Sequence, residues 1–104
     1  MWNLCFTQVR VLFPLIELER IKFIDYYYSE IQNVLDNEEI RQYGEILTKP
    51  AEVEIGTLHF MVKTYKISMP SAEDRKRIET LRSYRNTIAH MGCLSPHEIK
   101  DLLE

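Results

Sequence analysis

Two cysteines, three histidines, three glycines and four prolines in 104 residues leave little material for several kinds of protein. Cys5 and Cys93 stand near opposite ends of the chain with no CxxC spacing, so they form neither a zinc site nor a disulfide framework. The expectation is two reduced thiols in a cytoplasmic protein. No His, Cys, Asp or Glu cluster stands at ligand spacing, so neither a metal nor a cofactor is expected. Few glycines and prolines, no internal repeat and no low-complexity stretch point to an ordinary globular chain forming one domain over residues 1–104. No apolar run is long enough to span a bilayer, because Arg10, Glu17, Glu19 and Arg20 interrupt the first one. That run also lacks the basic leader and small-residue cleavage site of a signal peptide.

Positive charge is scarce too, but it is not spread evenly. The net charge is −3, which argues against a protein coated in positive charge for duplex binding. Residues 1–62 carry five Lys/Arg against ten Asp/Glu, residues 63–90 carry seven against three, and residues 91–104 carry one against three. A basic island of this kind attracts phosphate locally even in an acidic chain. An unevenly charged solvated helix face explains the same counts.

Hydrophobic spacing predicts an all-α bundle of four to five helices. Ile16, Phe23, Ile24, Tyr27, Ile31, Val34 and Leu35 recur at helical spacing and read as one long amphipathic helix. Pro14 suits its first turn, or kinks a helix already begun in Met1–Phe13. In the Tyr26-Tyr27-Tyr28 run one ring is expected inward and the others outward. Glu38–Leu47 reads as a shorter helix with Ile40, Tyr43 and Leu47 on one side. A third helix is expected from about Pro50 to Lys66, with Ile55, Leu58, Met61, Val62 and Tyr65 buried, although the alternation from Tyr65 to Met69 also suits a short strand. Ser71 followed by Asp74 marks the start of a fourth helix running to Met91 and stopping at Gly92. Ser95-Pro96-His97-Glu98 marks the start of a fifth. The chain ends while that helix is still amphipathic, as either a compact domain or a piece of something longer does.

The fourth helix carries the unusual residues. Its apolar stripe is Ile78, Leu81 and Ile88, with Tyr84 and Ala89 at the margin, and Arg85 falls near the middle of it. Burying an unpaired guanidinium is expensive, so Arg85 needs an anion, an acceptor or a wet cleft. A neighbouring helix C-terminus or a carboxylate from the acidic part of the chain satisfies that need without any functional role. Arg82, Asn86 and His90 follow one another at four-residue spacing and share a polar, basic face that titrates near neutrality. Arg75 and Glu79 have the spacing of an ordinary surface ion pair. Arg85 and His90 are about 140° apart around the helix and about 7.5 Å apart along it. They meet on one phosphate only if the helix distorts before Gly92, if the arginine swings round, or if a second copy of the segment completes the site. His59 reads as a satisfied core histidine, and His97 sits in a first turn that does not favour an imidazolium.

The string Arg85-Asn86-Thr87-Ile88-Ala89-His90, an Arg followed by a polar residue and then by a His on a late helix, resembles the active motif of the HEPN superfamily. That resemblance implies a small, dimeric helical bundle whose active members are metal-independent endoribonucleases of toxin–antitoxin, phage-defence and CRISPR-associated systems. It implies Arg85 and His90 as the catalytic pair and Asn86 as the polar residue after the arginine. The substrate it implies is single-stranded RNA, and the accompanying partners are a second copy and an antitoxin or regulatory domain. Arg82, Tyr84, Lys63 and Lys66 are candidates to guide RNA. The competing expectations are a non-catalytic module that keeps the bundle for dimerisation or for binding a nucleotide or protein, and an unrelated antitoxin-like or adaptor protein.

Overall fold

A computed structural model describes residues 4–90 and 92–104, with side chains from Arg10 onward. Met91 and the first three residues lie outside the described residues. The order of elements is α1 (Leu4–Tyr26), α2 (Tyr28–Asn37), β1 (Arg41–Gln42), β2 (Glu45–Ile46), one 3-10 turn (Pro50–Glu52), α3 (Ile55–Lys63), α4 (Ala72–Ala89) and α5 (Pro96–Leu103). This is a small, mostly helical bundle with one minimal hairpin. No helix among the described residues is long and apolar enough to cross a membrane.

The long helix expected through Leu35 is divided at Tyr27. Pro14 lies inside α1, so of the two readings of this proline the helix already begun before it is the one observed. Helical hydrogen bonds continue on both sides of the division, from Tyr27 N–H to Phe23 O and from Ile31 N–H to Tyr27 O. At Tyr27 itself the backbone leaves the helical region (φ −102°, ψ 24°). At this division the buried Tyr27 phenol donates to Asp74 Oδ2 at 2.6 Å, in the first turn of α4. Tyr26 and Tyr28 point outward, as the three-tyrosine run predicts.

The helix expected over Glu38–Leu47 is a hairpin. Arg41 pairs with Ile46 and Gln42 with Glu45 across a two-residue turn, in which Tyr43 and Gly44 both take positive φ, 53° and 81°. Such a turn matches the twist of the flanking strands. Ile40 and Leu47, read as two points on one helix face, are instead opposite each other, with Leu47 N–H bonded to Ile40 O. Both remain buried while Tyr43 is exposed. The third helix is likewise shorter than expected, beginning at Ile55 and ending at Lys63. Residues 64–71 form a loop without a strand, in which Ile67 and Met69 turn inward and Ser68 outward.

The starts of α4 and α5 are as expected. Ser71 Oγ accepts from Asp74 N–H, and Ser95 and Glu98 form a reciprocal capping box behind Pro96. Arg75 donates to Met69 O rather than pairing with Glu79. The core is one cluster: Leu12, Ile16 and Ile24 of α1, Ile31 and Val34 of α2, Ile55, Leu58, Met61 and Val62 of α3, Ile78, Leu81, Tyr84 and Ile88 of α4, and Leu102 of α5. Cys93 is disulfide-bonded. This corrects the expected reduced thiol and removes the thiol argument for a cytoplasmic chain, since disulfides persist mainly in oxidising surroundings.

Replacing Tyr27 with Phe deletes one hydroxyl and leaves Asp74 without its buried donor. A hydrogen bond to a charged group contributes about 1.5–3 kcal/mol, so urea unfolding of Tyr27→Phe is expected to show a loss in that range. A loss below about 0.5 kcal/mol, the scale of an ordinary surface substitution, would show that this bond does not hold α4 to the α1–α2 division.

Candidate functional site

Helix α4 brings Arg85 and Asn86 to one open hollow, which is completed by Arg41, Gln42 and Tyr43 of the hairpin and by Glu54, Gly56 and Thr57 at the start of α3. The hairpin is tied to α3 by its glutamine. Gln42 Oε1 accepts from Glu54 N–H at 2.9 Å and from the Thr57 hydroxyl at 2.7 Å, and its Nε2 donates to Glu52 O at 2.8 Å. Tyr43 then donates its phenol to Glu54 Oε2 at 2.6 Å. Arg41 is held within the hairpin by Gly44 O and Glu39.

Arg85 lies where the periodicity of α4 predicts it, half-buried against the core. Its guanidinium sits 5.7 Å from the centre of the Phe13 ring of α1, a cation–π distance. Its nearest carboxylate, Glu54 Oε2, is 4.0 Å away. The side chain is 31% exposed, and none of its donors makes a hydrogen bond among the described residues. A planar group with five N–H donors in a fixed fork is therefore positioned by packing and by one loose charge contact. Its hydrogen-bonding capacity stays open toward the hollow.

His90 stands elsewhere. Helix α4 ends at Ala89, and His90 is the C-cap, with φ −96°, ψ 22° and its N–H bonded to Asn86 O. The residue is exposed and does not line the hollow. No hydrogen bond joins the Asn86 amide to the imidazole. Within one chain the structure thus brings together Arg85 and Asn86 but not His90. At the stop the Gly92 N–H reaches Thr87 O at 2.8 Å, an approach that leaves no room for a side chain. A Cβ there would lie 2.9 Å from both Thr87 Cγ2 and Thr87 O.

The residues expected to guide RNA divide in a similar way. Arg82 and Lys63 are exposed on α4 and α3. Lys66 is paired with Glu38. Tyr84 is buried, with its hydroxyl on Asp101 Oδ2 at 2.7 Å. Burial first, and then that carboxylate, push its phenol up to about 12. Tyr84 is thus a core residue joining α4 to α5 and offers no surface to a ligand. The residues that sequence reasoning did not single out are Phe13, Gln42, Tyr43 and Glu54. Each reaches Arg85 or its hollow from a distant part of the chain, and reading the hairpin as a helix concealed two of them.

Half-buried His59 of α3 has surroundings that bear on the same face. Desolvation lowers its pKa below the ordinary 6.5, and Arg82 adds to the lowering; Glu79 opposes it, and Lys63 contributes a further small lowering. Among the described residues no group of three or more His, Cys, Asp or Glu is placed to hold a metal ion. Comparison of the chain with protein-family models, with curated proteins and with solved structures gives no match.

The depressed His59 makes stability depend on pH in a definite sense. The neutral imidazole is favoured in the fold, so below the ordinary value of 6.5 the unfolded chain takes up a proton that the folded chain resists. This contribution to stability is complete above that value and is lost as pH falls through the folded one. Between pH 7 and pH 5 the wild type is expected to lose more stability than His59→Gln in parallel chemical denaturation. Equal slopes in the two proteins would show that His59 is not desolvated by its neighbours.

Proposed function

We propose that this chain is a metal-independent endoribonuclease that cleaves single-stranded RNA by attack of the RNA's own 2′-hydroxyl, acting as a toxin or defence effector. The observation that supports this reading is the state of Arg85. It is a guanidinium fixed in place without a hydrogen bond among the described residues, open to a polar hollow and adjacent to Asn86. Such a group suits the two non-bridging oxygens of a phosphodiester, which accept a bidentate pair of N–H bonds. Held there, it stabilises the negative charge that builds as phosphorus becomes five-coordinate.

The proton transfers belong to His90. The 2′-oxygen attacks phosphorus as a base removes its proton, the bond from phosphorus to the 5′-oxygen breaks, and an acid protonates that leaving oxygen. An imidazole serves in either role. One chain's hollow does not contain its own His90, so this reading calls for two copies, each contributing an Arg85 and a His90. Arg82 and Lys63 lie on the exposed surface of α4 and α3 and guide the strand. The products are a 2′,3′-cyclic phosphate and a free 5′-hydroxyl.

A second reading is a non-catalytic helical module that binds a nucleotide or a protein partner. It is favoured by the Glu54 carboxylate, which already faces Arg85 at 4.0 Å and competes with any incoming anion.

The first reading is tested by incubating the protein with single-stranded RNA in excess EDTA. The wild type is expected to release fragments ending in 2′,3′-cyclic phosphate and to leave a 2′-deoxy substrate intact. Arg85→Ala and His90→Ala, both folded by circular dichroism, are each expected to lose activity by about 10²–10⁴-fold, the usual contribution of a positioned acid–base or charge-stabilising group. Absence of cleavage at high protein concentration, or cleavage indifferent to both substitutions, would rule the reading out. Glu54→Gln tests the competition directly. It keeps the Tyr43 acceptor and removes a charge worth up to about 1 kcal/mol to an exposed pair. It should therefore tighten RNA binding by up to about fivefold in fluorescence anisotropy, whereas a purely structural Glu54 would leave affinity unchanged.

A further inference from the structure

Helix α1 is apolar on two opposite sides. Leu12, Ile16 and Ile24 face the core and are buried. Val11, Leu18 and Ile21 are 56%, 56% and 51% exposed, and Pro14 between them is exposed as well. The spacing 11, 14, 18, 21 alternates three and four residues and confines these side chains to an arc of about 80°. That is the spacing of a helix–helix seam. A helix normally has its apolar surface covered, whereas among the described residues this second side stays exposed. The radius of gyration, 14.5 Å, exceeds the roughly 13 Å expected of a compact domain of this length.

Charge identifies what fits this seam. Arg10 lies at one end of the stripe and Asp25 at the other, both exposed, and neither takes part in an ion pair among the described residues. A second copy of α1 laid parallel would set Arg10 against Arg10 and Asp25 against Asp25. Laid antiparallel, it sets each Arg10 beside the partner's Asp25, once at each end, with the apolar residues between. Lys22 is on the far edge of the stripe from Arg10, and Glu17 is engaged by Arg20 of its own helix, so neither opposes this arrangement.

We propose that two copies of the chain associate through this stripe, α1 antiparallel on α1 about a twofold axis, with an Arg10–Asp25 pair at either end. Phe13, the ring under Arg85, lies about 80° round the helix from the edge of the stripe, so the pairing leaves the Arg85 hollow open. The pairing goes beyond the nuclease reading. It stands on α1 alone and does not itself bring a partner's His90 to the hollow.

Sedimentation equilibrium of the full chain at micromolar to millimolar concentration tests it. The wild type is expected to be a dimer, and Leu18→Glu a monomer with an unchanged helical spectrum. Arg10→Glu and Asp25→Arg are each expected to weaken the dimer by about tenfold, because each turns two attractive pairs into like-charge contacts. The double substitution Arg10→Glu with Asp25→Arg is expected to restore it. A monomeric wild type, a Leu18→Glu protein that remains dimeric, or a double substitution no tighter than the singles would each overturn the proposal. RNA cleavage is read separately, so loss of activity with the dimer intact counts against the nuclease reading and not against this interface.

Discussion

Helix α4 packs one stripe against both α1 and α3, and a guanidinium occupies the middle of that stripe. Placing Arg85 there costs desolvation that neighbouring aliphatic side chains cannot repay. The structure repays it with an aromatic face from α1 and a carboxylate from the start of α3, both at distances that attract without fixing a hydrogen bond. The rest of the hollow follows from this requirement. Glu54 is positioned because its own N–H is held by Gln42 and its carboxylate by Tyr43. Those two residues are positioned because the chain turns sharply at Tyr43 and Gly44. The hairpin, although it is two residues to a strand, is what sets the charge opposite Arg85.

The helix that carries Arg85 is anchored along its length by polar contacts as well as by its core residues. Tyr27 joins its first turn to the α1–α2 division, and Tyr84 joins its later turns to α5. Between these, Arg77 reaches Glu19 of α1 and Asp101 of α5. Both tyrosine hydroxyls are donors to carboxylates, the stronger class of hydrogen bond. Arg85 is thereby fixed relative to the core, while His90 comes just after the last such anchor, where the helix has stopped. The two residues linked by the motif thus have different mechanical surroundings: one is embedded in packing and the other stands on an exposed cap.

Much of this was legible where the determinants are local. The starts of α4 and α5 follow from Ser71 and Asp74 and from Ser95, Pro96 and Glu98, residues that act within one turn of each other. Arg85 in the buried stripe follows from helical periodicity, which needs only one helix to be correct. The hairpin was not legible, because Ile40, Tyr43 and Leu47 satisfy a helical spacing as well as they satisfy a turn with Ile40 and Leu47 on opposite strands. What decides between the two is the left-handed backbone at Tyr43, a residue with no strong preference for it. The partner of the Tyr27 phenol is on α4, and the partners of Arg85 come from α1 and α3, so no window on the sequence contains them. Tyr84 was placed at the margin of the stripe and is buried, since α5 closes over it through Asp101.

The same division between local and distant determinants explains α1. Its apolar residues do not fall on one face, and from the sequence its first half reads as little more than an interrupted hydrophobic run. In the fold those residues separate into an inner set, which packs on α4 and carries Phe13 under Arg85, and an outer set at seam spacing. A chain of this length can bury only a modest core, and one face of its longest helix is left over once α2, α4 and α5 have covered the other. The ring beneath the guanidinium and the uncovered stripe are parts of one helix. The geometry that holds Arg85 and the surface available for association were therefore set together, by how α1 divides its apolar residues between its two sides.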